Sequence, residues 1–388
     1  MLNFTHHIPT IVYFGKGQVS ALEPELKKRA GKVLIVTGQG SVKKNGIFNH
    51  VIRQVKKADV PYVELSGIKP NPRLKSVYRG IEICKKESVD FILAVGGGSV
   101  IDASKAIASG VKYDGDVWDF FAGDVKPTDA LPVGTVLTLA ATGSEMNGNT
   151  VITKEDTMRK LAFGSPVIRP VFSILDPEYT YTVNKYHTAA GVVDIMVHVF
   201  EQYFSHTPAS DVQDRIAEAL LKVCVKYGPI VCEKLHDYDA RANLLWTGSL
   251  ALNDLIGQGK QEDWASHAIE HELSAIYDIS HGAGLAIVSP NWMRYVLSRN
   301  TVHKFVEYGI KVWNIEKDRS EMDIANEAIH RTEKFFKSLG MPTTLKEVNI
   351  SDEHFEKMAK SAIEDWGEIG SFKKLTEKDI VQILNASL

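Results

Sequence analysis

Short apolar runs alternate with segments of helical periodicity through the first half of the chain. Runs of strand length occupy residues 32–37, 61–65, 91–95 and 131–136. Between the first two runs, Ile47, Val51 and Val55 recur at the spacing of one helix face. Strands that alternate with helices in this way predict a parallel sheet covered by helices on both faces.

The pattern changes near Tyr181. Beyond that residue, long amphipathic segments such as 211–228 dominate, and strand signals nearly vanish. A chain of 388 residues is long enough for two hydrophobic cores. We therefore predict an α/β domain with a Rossmann-like parallel sheet over residues 1–181, followed by an all-helical domain over residues 182–388.

Composition and charge exclude several classes of protein. Hydrophobic residues make up 44% of the chain and charged residues 24%, as in ordinary globular proteins. The net charge of −3 gives no general attraction to nucleic acid or to an anionic membrane. The apolar runs are too short to span a bilayer, and the N-terminus does not resemble a signal peptide. Three scattered cysteines fit a reducing compartment, so we expect a cytoplasmic protein.

Two loops rich in glycine and hydroxyl groups follow predicted strands. The glycine run at 96–99 leads into a helix, and Ser99 and Asp102 have the spacing of a cap for that helix. A second loop of this kind occupies residues 138–145. Glycines let a ligand approach the backbone and a helix N-terminus attracts anions, so both loops are candidates for binding a dinucleotide. Either could instead be a structural turn, with a hydroxyl of the second loop capping a helix.

The first predicted strand of the chain, residues 32–37, leads into a turn at residues 37–44. This turn contains no acidic residue, and the next acid is Asp59. An acid at the end of such a strand would bind the ribose 2′-hydroxyl of NAD and repel the 2′-phosphate of NADP. Small residues, a hydroxyl and two lysines favour a phosphate instead. Lys43 and Lys44 could equally be solvated helix residues.

Candidate metal ligands come from two helical segments. Asp194 and His198 are four residues apart, which places them on one helix face, and His267 and His281 follow later in the chain. One carboxylate and three imidazoles suit Fe²⁺ or Zn²⁺. With 13 histidines in the chain, chance pairs are expected, but these residues lie in apolar segments where an unpaired polar group would be costly to bury. His271, one turn from His267, is a candidate fifth participant.

Together these motifs resemble those of the iron-containing alcohol dehydrogenases, specifically the branch of butanol dehydrogenases and NADPH-dependent aldehyde reductases. The matching motifs are GGGSVIDASK (96–105), ATGSEMN (141–147), LDPEYTYT (175–182), GVVDIMVHVFEQY (191–203), QEDWASHAIEHELSA (261–275) and ISHGAGLAIV (279–288). The resemblance spans nearly the whole chain. It implies a dehydroquinate synthase-like architecture, with an NADP-binding α/β domain and a helical metal-binding and catalytic domain.

The resemblance implies a role for each matching residue. The implied metal ligands are Asp194, His198, His267 and His281. The implied cofactor contacts are Gly38, Gly40, Ser41, Gly97, Gly98, Ser99, Asp102, Thr138, Thr142, Asn147, Lys160 and Tyr179. His271 matches a residue that relays a proton. Glu270 departs from the pattern, since related members often have a small residue there, and an inward Glu270 would alter the pKa of His271.

The implied activity is reversible hydride transfer between NADP(H), with NAD(H) as the alternative, and a primary alcohol or aldehyde such as butanol or butanal. It would require one Fe²⁺ or Zn²⁺ ion and a small alcohol or aldehyde as substrate. The resemblance also implies a homodimer, and we expect neither nucleic acid nor a membrane as a partner. The alternatives are a polyol dehydrogenase or lyase on the same fold, and a non-catalytic protein that binds a nucleotide and a metal.

Overall fold

All strands lie in the first half of the chain. A computed structural model describes residues 1–388. The strands are β1 (Ile11–Phe14), β2 (Val33–Gly38), β3 (Tyr62–Ile68), β4 (Phe91–Gly96), β5 (Val133–Leu137), β6 (Asn149–Lys154), β7 (Arg159–Gly164) and β8 (Phe172–Leu175).

Helices both separate the strands and make up nearly all of the second half. They are α1 (Leu22–Arg29), α2 (Ser41–Lys44), α3 (Ile47–Ala58), α4 (Leu74–Glu87), α5 (Gly98–Val111), α6 (Trp118–Ala122), α7 (Lys185–Tyr203), α8 (Asp211–Glu233), α9 (Tyr238–Ala251), α10 (Ala265–Tyr277), α11 (His281–Val296), α12 (Val302–Trp313), α13 (Glu321–Ser338), α14 (Phe355–Trp366) and α15 (Glu377–Ala386). Short 3₁₀ helices span Gln18–Ala21, Pro166–Ile168, Pro177–Thr180, Lys346–Val348 and Asp352–His354. No helix is both long and apolar enough to cross a membrane.

Six strands form one sheet in the order β1-β8-β5-β4-β2-β3, and every neighbouring pair is parallel. The predicted α/β fold with a parallel sheet, followed by a largely helical part, is confirmed. The four apolar runs that predicted strands correspond to β2, β3, β4 and β5. The pattern missed β8 and the separate antiparallel hairpin of β6 and β7, which contribute no long apolar run.

Both faces of the sheet are buried, which explains why its strands read as continuous apolar runs. Along β2, Leu34 and Val36 join a core with α4 and α5 on one face. The alternate residues Val33 and Ile35 join a second core with α1 and α3 on the other. The parallel strands therefore present their carboxyl ends, and the loops that follow them, at one edge of the sheet.

The chain folds as two compact units that differ from a simple division at residue 181. The α/β unit contains His7–Asn184 and also Leu235–Ser249, while the helical unit contains the remaining residues. Within the α/β unit, Trp246 of α9 packs edge-on against Phe14, with ring centroids 6.0 Å apart. Helical periodicity alone cannot show this placement, because α9 has the same local pattern as the helices of the other unit.

Polar side chains tie three segments of the helical unit together. The Asp214 carboxylate on α8 accepts hydrogen bonds of 2.5 Å from Lys260, before α10, and of 2.5 Å from Lys304 on α12. All three side chains are buried. Lys304 also lies over the ring of Tyr203, 4.4 Å from its centroid. This cluster, Asp214–Lys260–Lys304, connects α8, α12 and the approach to α10.

The three cysteines are buried, and none of them forms a disulfide bond. Burial raises the pKa of the Cys84 thiol to about 12 and also raises the pKa of Cys224. Their thiolate forms are therefore scarce at neutral pH.

Candidate functional site

Three of the four predicted metal ligands converge inside the helical unit. Asp194 lies on α7, His267 on α10, and His281 is the first residue of α11. Their potential ligand atoms all lie within 4.8 Å of one another. Asp194 and His267 are buried and His281 is partly exposed, so the group has one side open towards solvent.

The spacing of these atoms fits a divalent metal ion. Asp194 Oδ1 lies 3.5 Å from His281 Nε2 and 4.0 Å from His267 Nε2. In a tetrahedral site with metal–ligand bonds of about 2.0–2.1 Å, ligand atoms are about 3.3 Å apart. The two measured separations are close to this value, and the one-carboxylate, multi-imidazole donor set suits Fe²⁺ or Zn²⁺.

His198 lies beside this group but is not part of the 4.8 Å cluster. Its Nδ1 is 3.3 Å from Asp194 Oδ1, and its ring centroid is 4.5 Å from that of His267. Burial, followed by the neighbouring imidazoles of His267 and His281, lowers the pKa of His198 well below its usual value. The ring is therefore neutral at neutral pH, which is the form in which imidazole binds a metal.

A close helix contact brings His281 to Asp194. A Cβ atom on Gly282 would lie 2.1 Å from the backbone oxygen of Ala190 on α7. Only glycine allows the start of α11 to approach α7 this closely. Because Ala190 is one turn before Asp194, the contact places the residue before Gly282 next to the carboxylate.

Two buried glutamates contact predicted metal ligands at Nδ1, while Nε2 of the same rings faces Asp194. Glu201 Oε1 lies 2.8 Å from His267 Nδ1, and Glu270 Oε2 contacts His281 Nδ1. Sequence reasoning missed Glu201, although Asp194, His198 and Glu201 have the i, i+4, i+7 spacing of one helix face. Burial raises the pKa of Glu201 to about 8.

Glu270 points inward, which is the orientation considered above. Its carboxylate contacts His281 and accepts a hydrogen bond from Ser274 Oγ. His271 is buried on α10, with its ring centroid 5.8 Å from that of His281. Glu270, His271 and His281 form a second group whose ligand atoms lie within 4.8 Å, so His271 borders the candidate metal position.

The two glycine loops of the α/β unit meet each other. Gly97 is the N-cap of α5 in an extended conformation, and Gly98 and Ser99 form the first turn. A Cβ on Gly98 would lie 2.5 Å from Thr142 Oγ1 of the second loop. The N–H groups of a first helical turn have no acceptor within the helix. The loops therefore build a small, backbone-lined position suited to an anion.

Two expectations about these loops are wrong. Asp102 does not cap α5, which has no side-chain cap; it accepts hydrogen bonds from Ser144 Oγ at 2.5 Å and Val151 N at 3.1 Å. No helix begins at residues 138–145, and the chain turns into β6 instead. Asp102 thus connects the helix to the second loop and to the hairpin. That role depends on contacts distant in sequence.

The remaining predicted cofactor contacts have structural partners. Asn147 accepts a 3.1 Å hydrogen bond from the buried Lys105, and Thr138 N donates to Gly96 O at 3.1 Å. The Tyr179 hydroxyl lies 3.3 Å from His50 Nδ1. Lys160 is buried in β7.

The turn after β2 exposes its polar groups. Gly40 has φ 110°, and Ser41 begins α2 with an exposed side chain. Gly38 ends β2. Lys43 Nζ lies 2.7 Å from Glu64 Oε2 on β3. Sequence reasoning missed Glu64 because the acid comes from the neighbouring strand.

Comparison with known proteins places these features in a family. Residues 9–177 match the family model described as iron-containing alcohol dehydrogenase, and residues 188–388 match the C-terminal model of the Fe-containing alcohol dehydrogenase family. Together these matches cover most of the chain.

Named relatives are similar over most or all of their length. The NADH-dependent butanol dehydrogenase A of Clostridium acetobutylicum is 51% identical, with 100% of both chains covered. The NADPH-dependent aldehyde reductase YqhD of Escherichia coli is 41% identical, with 90% of both covered. The crystal structure of NADH-dependent butanol dehydrogenase A from Thermotoga maritima superposes with a TM-score of 0.95 at 39% identity, covering 100% of this chain and 99% of that one.

Proposed function

Because this chain belongs to the iron-containing alcohol dehydrogenase family, we propose that it transfers hydride reversibly between a nicotinamide dinucleotide and a primary alcohol or aldehyde such as butanol or butanal. In the reducing direction an aldehyde, a reduced cofactor and one proton give an alcohol and the oxidised cofactor. The convergence of Asp194, His267 and His281 carries the proposal. The names of the relatives support alcohol dehydrogenase and aldehyde reductase activity.

The four residues Asp194, His198, His267 and His281 would hold one Fe²⁺ or Zn²⁺. When bound, a divalent metal supplies Lewis acidity that polarises a carbonyl group. Asp194, His198 and His267 are buried, so the surrounding helices exclude water from these three donors. His271 would carry the proton exchanged with the substrate, since it is a buried imidazole one turn from His267.

The glycine loops at 96–99 and 138–147 would hold the cofactor pyrophosphate at the N-terminus of α5. The turn at Gly38, Gly40 and Ser41 contains no acid, which supports NADP(H) as the cofactor. NAD(H) is the second candidate, because several relatives are named NADH-dependent. Steady-state kinetics with both cofactors and a series of short aldehydes distinguishes the two.

A ligand substitution tests the proposed activity. We expect His267→Ala to abolish the butanal-dependent loss of absorbance at 340 nm, because it removes one of the converging donors. Cofactor binding, measured by fluorescence titration, should be unchanged, since His267 belongs to the helical unit. His303→Ala changes an exposed histidine of the same unit and should retain full turnover. Full turnover by His267→Ala with its metal loaded would overturn the assignment.

A further inference from the structure

Two carboxylates bind the far side of two predicted metal ligands. Glu201 Oε1 lies 2.8 Å from His267 Nδ1 and also accepts a 3.0 Å hydrogen bond from the His267 backbone N–H. Glu270 Oε2 contacts His281 Nδ1, while Oε1 accepts from Ser274 Oγ. In both pairs Nδ1 faces the glutamate, and Nε2 faces Asp194.

The carboxylates connect the three helices in sequence. Glu201 on α7 reaches His267 on α10, and Glu270 on α10 reaches His281 on α11. Both glutamate side chains are almost fully buried, with 1% and 0% of their surface exposed. A buried carboxylate is costly unless it is paired, so these positions are unfavourable for glutamate without a specific partner.

The packing around Glu270 is shaped to admit it. A Cβ atom on Gly284 of α11 would lie 2.8 Å from Glu270 Cγ and 2.9 Å from its Oε1. The glycine therefore leaves the space that the longer side chain occupies. Ser274, one turn after Glu270 on α10, holds the second carboxylate oxygen. These contacts fix Glu270 with one oxygen on His281.

An imidazole with a carboxylate at Nδ1 carries its proton there and offers the Nε2 lone pair to a metal. The carboxylate also fixes the ring orientation and raises the basicity of the ligand. Because the two rings come from different helices, each needs its own anchor. No role for either glutamate follows from the ligand set itself.

We propose that Glu201 and Glu270 are positioning residues that orient His267 and His281 towards the metal and retain the ion. The inference rests on the proposed ligand set. It differs from direct ligation by Glu270, because the His281 ring lies between this carboxylate and Asp194.

The rate of metal release tests the proposal. We expect Glu270→Ala and Glu201→Ala, each loaded with Zn²⁺, to release the ion to a chromogenic chelator about 10–100-fold faster than the unchanged protein. Glu270→Gln should release Zn²⁺ faster than the unchanged protein but more slowly than Glu270→Ala, because its amide oxygen can still accept a hydrogen bond from His281 Nδ1. In Co²⁺-loaded protein, the visible absorption bands of Glu270→Ala should shift as the ligand geometry changes.

Controls separate the outcomes. Glu218→Gln changes another buried, hydrogen-bonded glutamate of the helical unit and should release Zn²⁺ at the unchanged rate. His281→Ala should fail to retain Zn²⁺; if it retains the ion, the ligand set and the proposed function fail. If His281→Ala loses the ion while both alanine variants release it at the unchanged rate, only the positioning role fails.

Two further results also decide the matter. A Glu270→Gln variant as deficient in metal as His281→Ala would make Glu270 a ligand and overturn the proposal. Should Glu270→Ala not fold, as judged by circular dichroism, Ser274→Ala replaces it. That variant loosens the same carboxylate and should speed release several-fold, and an unchanged rate counts against the proposal.

Discussion

Single side chains at the turn after β2 set the charges at the proposed position of the adenosine ribose. Lys43 is engaged by Glu64, 2.7 Å away, so its charge is largely balanced. Ser41 and Lys44 are exposed without a nearby acid in sequence. At the proposed cofactor site, selectivity for the adenosine ribose would therefore depend more on Ser41 and Lys44 than on Lys43.

Placing an acid at this turn tests the prediction of NADP(H). We expect Ser41→Asp to lower kcat/KM for NADPH at least about tenfold, or ~1.4 kcal/mol, because the new carboxylate repels a 2′-phosphate. The value for NADH should change little. Ser88→Asp makes the same change on an exposed residue before β4, at the opposite edge of the sheet, and should affect neither. Equal losses for both cofactors in Ser41→Asp would contradict a 2′-phosphate position here.

At the scale of elements, the cluster Asp214–Lys260–Lys304 joins α8, α12 and the segment before α10. Burial would raise the pKa of Asp214, but hydrogen bonds and charges from both lysines outweigh it and lower the pKa. Burial lowers the pKa of Lys260, and its hydrogen bond to Asp214 opposes this effect. The acid therefore stabilises the fold chiefly by compensating two buried ammonium groups.

Removing this acid should destabilise the helical unit. We expect Asp214→Asn to lower the free energy of unfolding by about 3 kcal/mol at pH 7, because buried lysines lose their counter-charge. Since the folded-state pKa is depressed, the contribution is present above about pH 4, the ordinary value for aspartate, and is lost at lower pH. The difference in urea midpoint between Asp214→Asn and the unchanged protein should therefore become smaller as the pH falls below about 4. Asp211→Asn, exposed on the same helix, should change stability little.

At the scale of the whole molecule, the proposed metal and cofactor positions belong to different units. The predicted metal ligands, together with Glu201 and Glu270, belong to the helical unit, while the glycine loops and the turn after β2 belong to the α/β unit. Binding stabilises the elements that make the contacts. The two ligands should therefore leave separate signatures along the chain.

Hydrogen exchange should resolve these signatures. At 100 times its Kd, Zn²⁺ should add up to about 2.7 kcal/mol of protection to amides of α7 and α10, by mass action on the folded state. A nicotinamide dinucleotide should instead protect the start of α5 and the loop after β5. Asp194→Asn should lose the Zn²⁺ effect and keep the nucleotide effect. Zn²⁺-dependent protection of β2 and β4 equal to that of α7 would contradict this division.

Local patterns predicted the sheet because buried parallel strands produce uninterrupted apolar runs, as at 91–95. They could not show that Asp102 holds Ser144 and Val151, or that Glu64 reaches Lys43, since those pairs depend on how strands and loops lie side by side. The contact of Glu270 with His281 could not be predicted either, because the turn between α10 and α11 brings His281 back beside a residue eleven positions earlier.

The burial of all three native thiols makes the folded chain inert to reagents that attack thiolates. A cysteine-directed fluorophore would therefore label only a cysteine that is introduced on the surface. Cys84, Cys224 and Cys232 would not have to be removed first. Ser88→Cys in the α/β unit and His303→Cys in the helical unit would introduce two such sites at exposed positions. A dye attached at either position would then report on the surroundings of that unit alone.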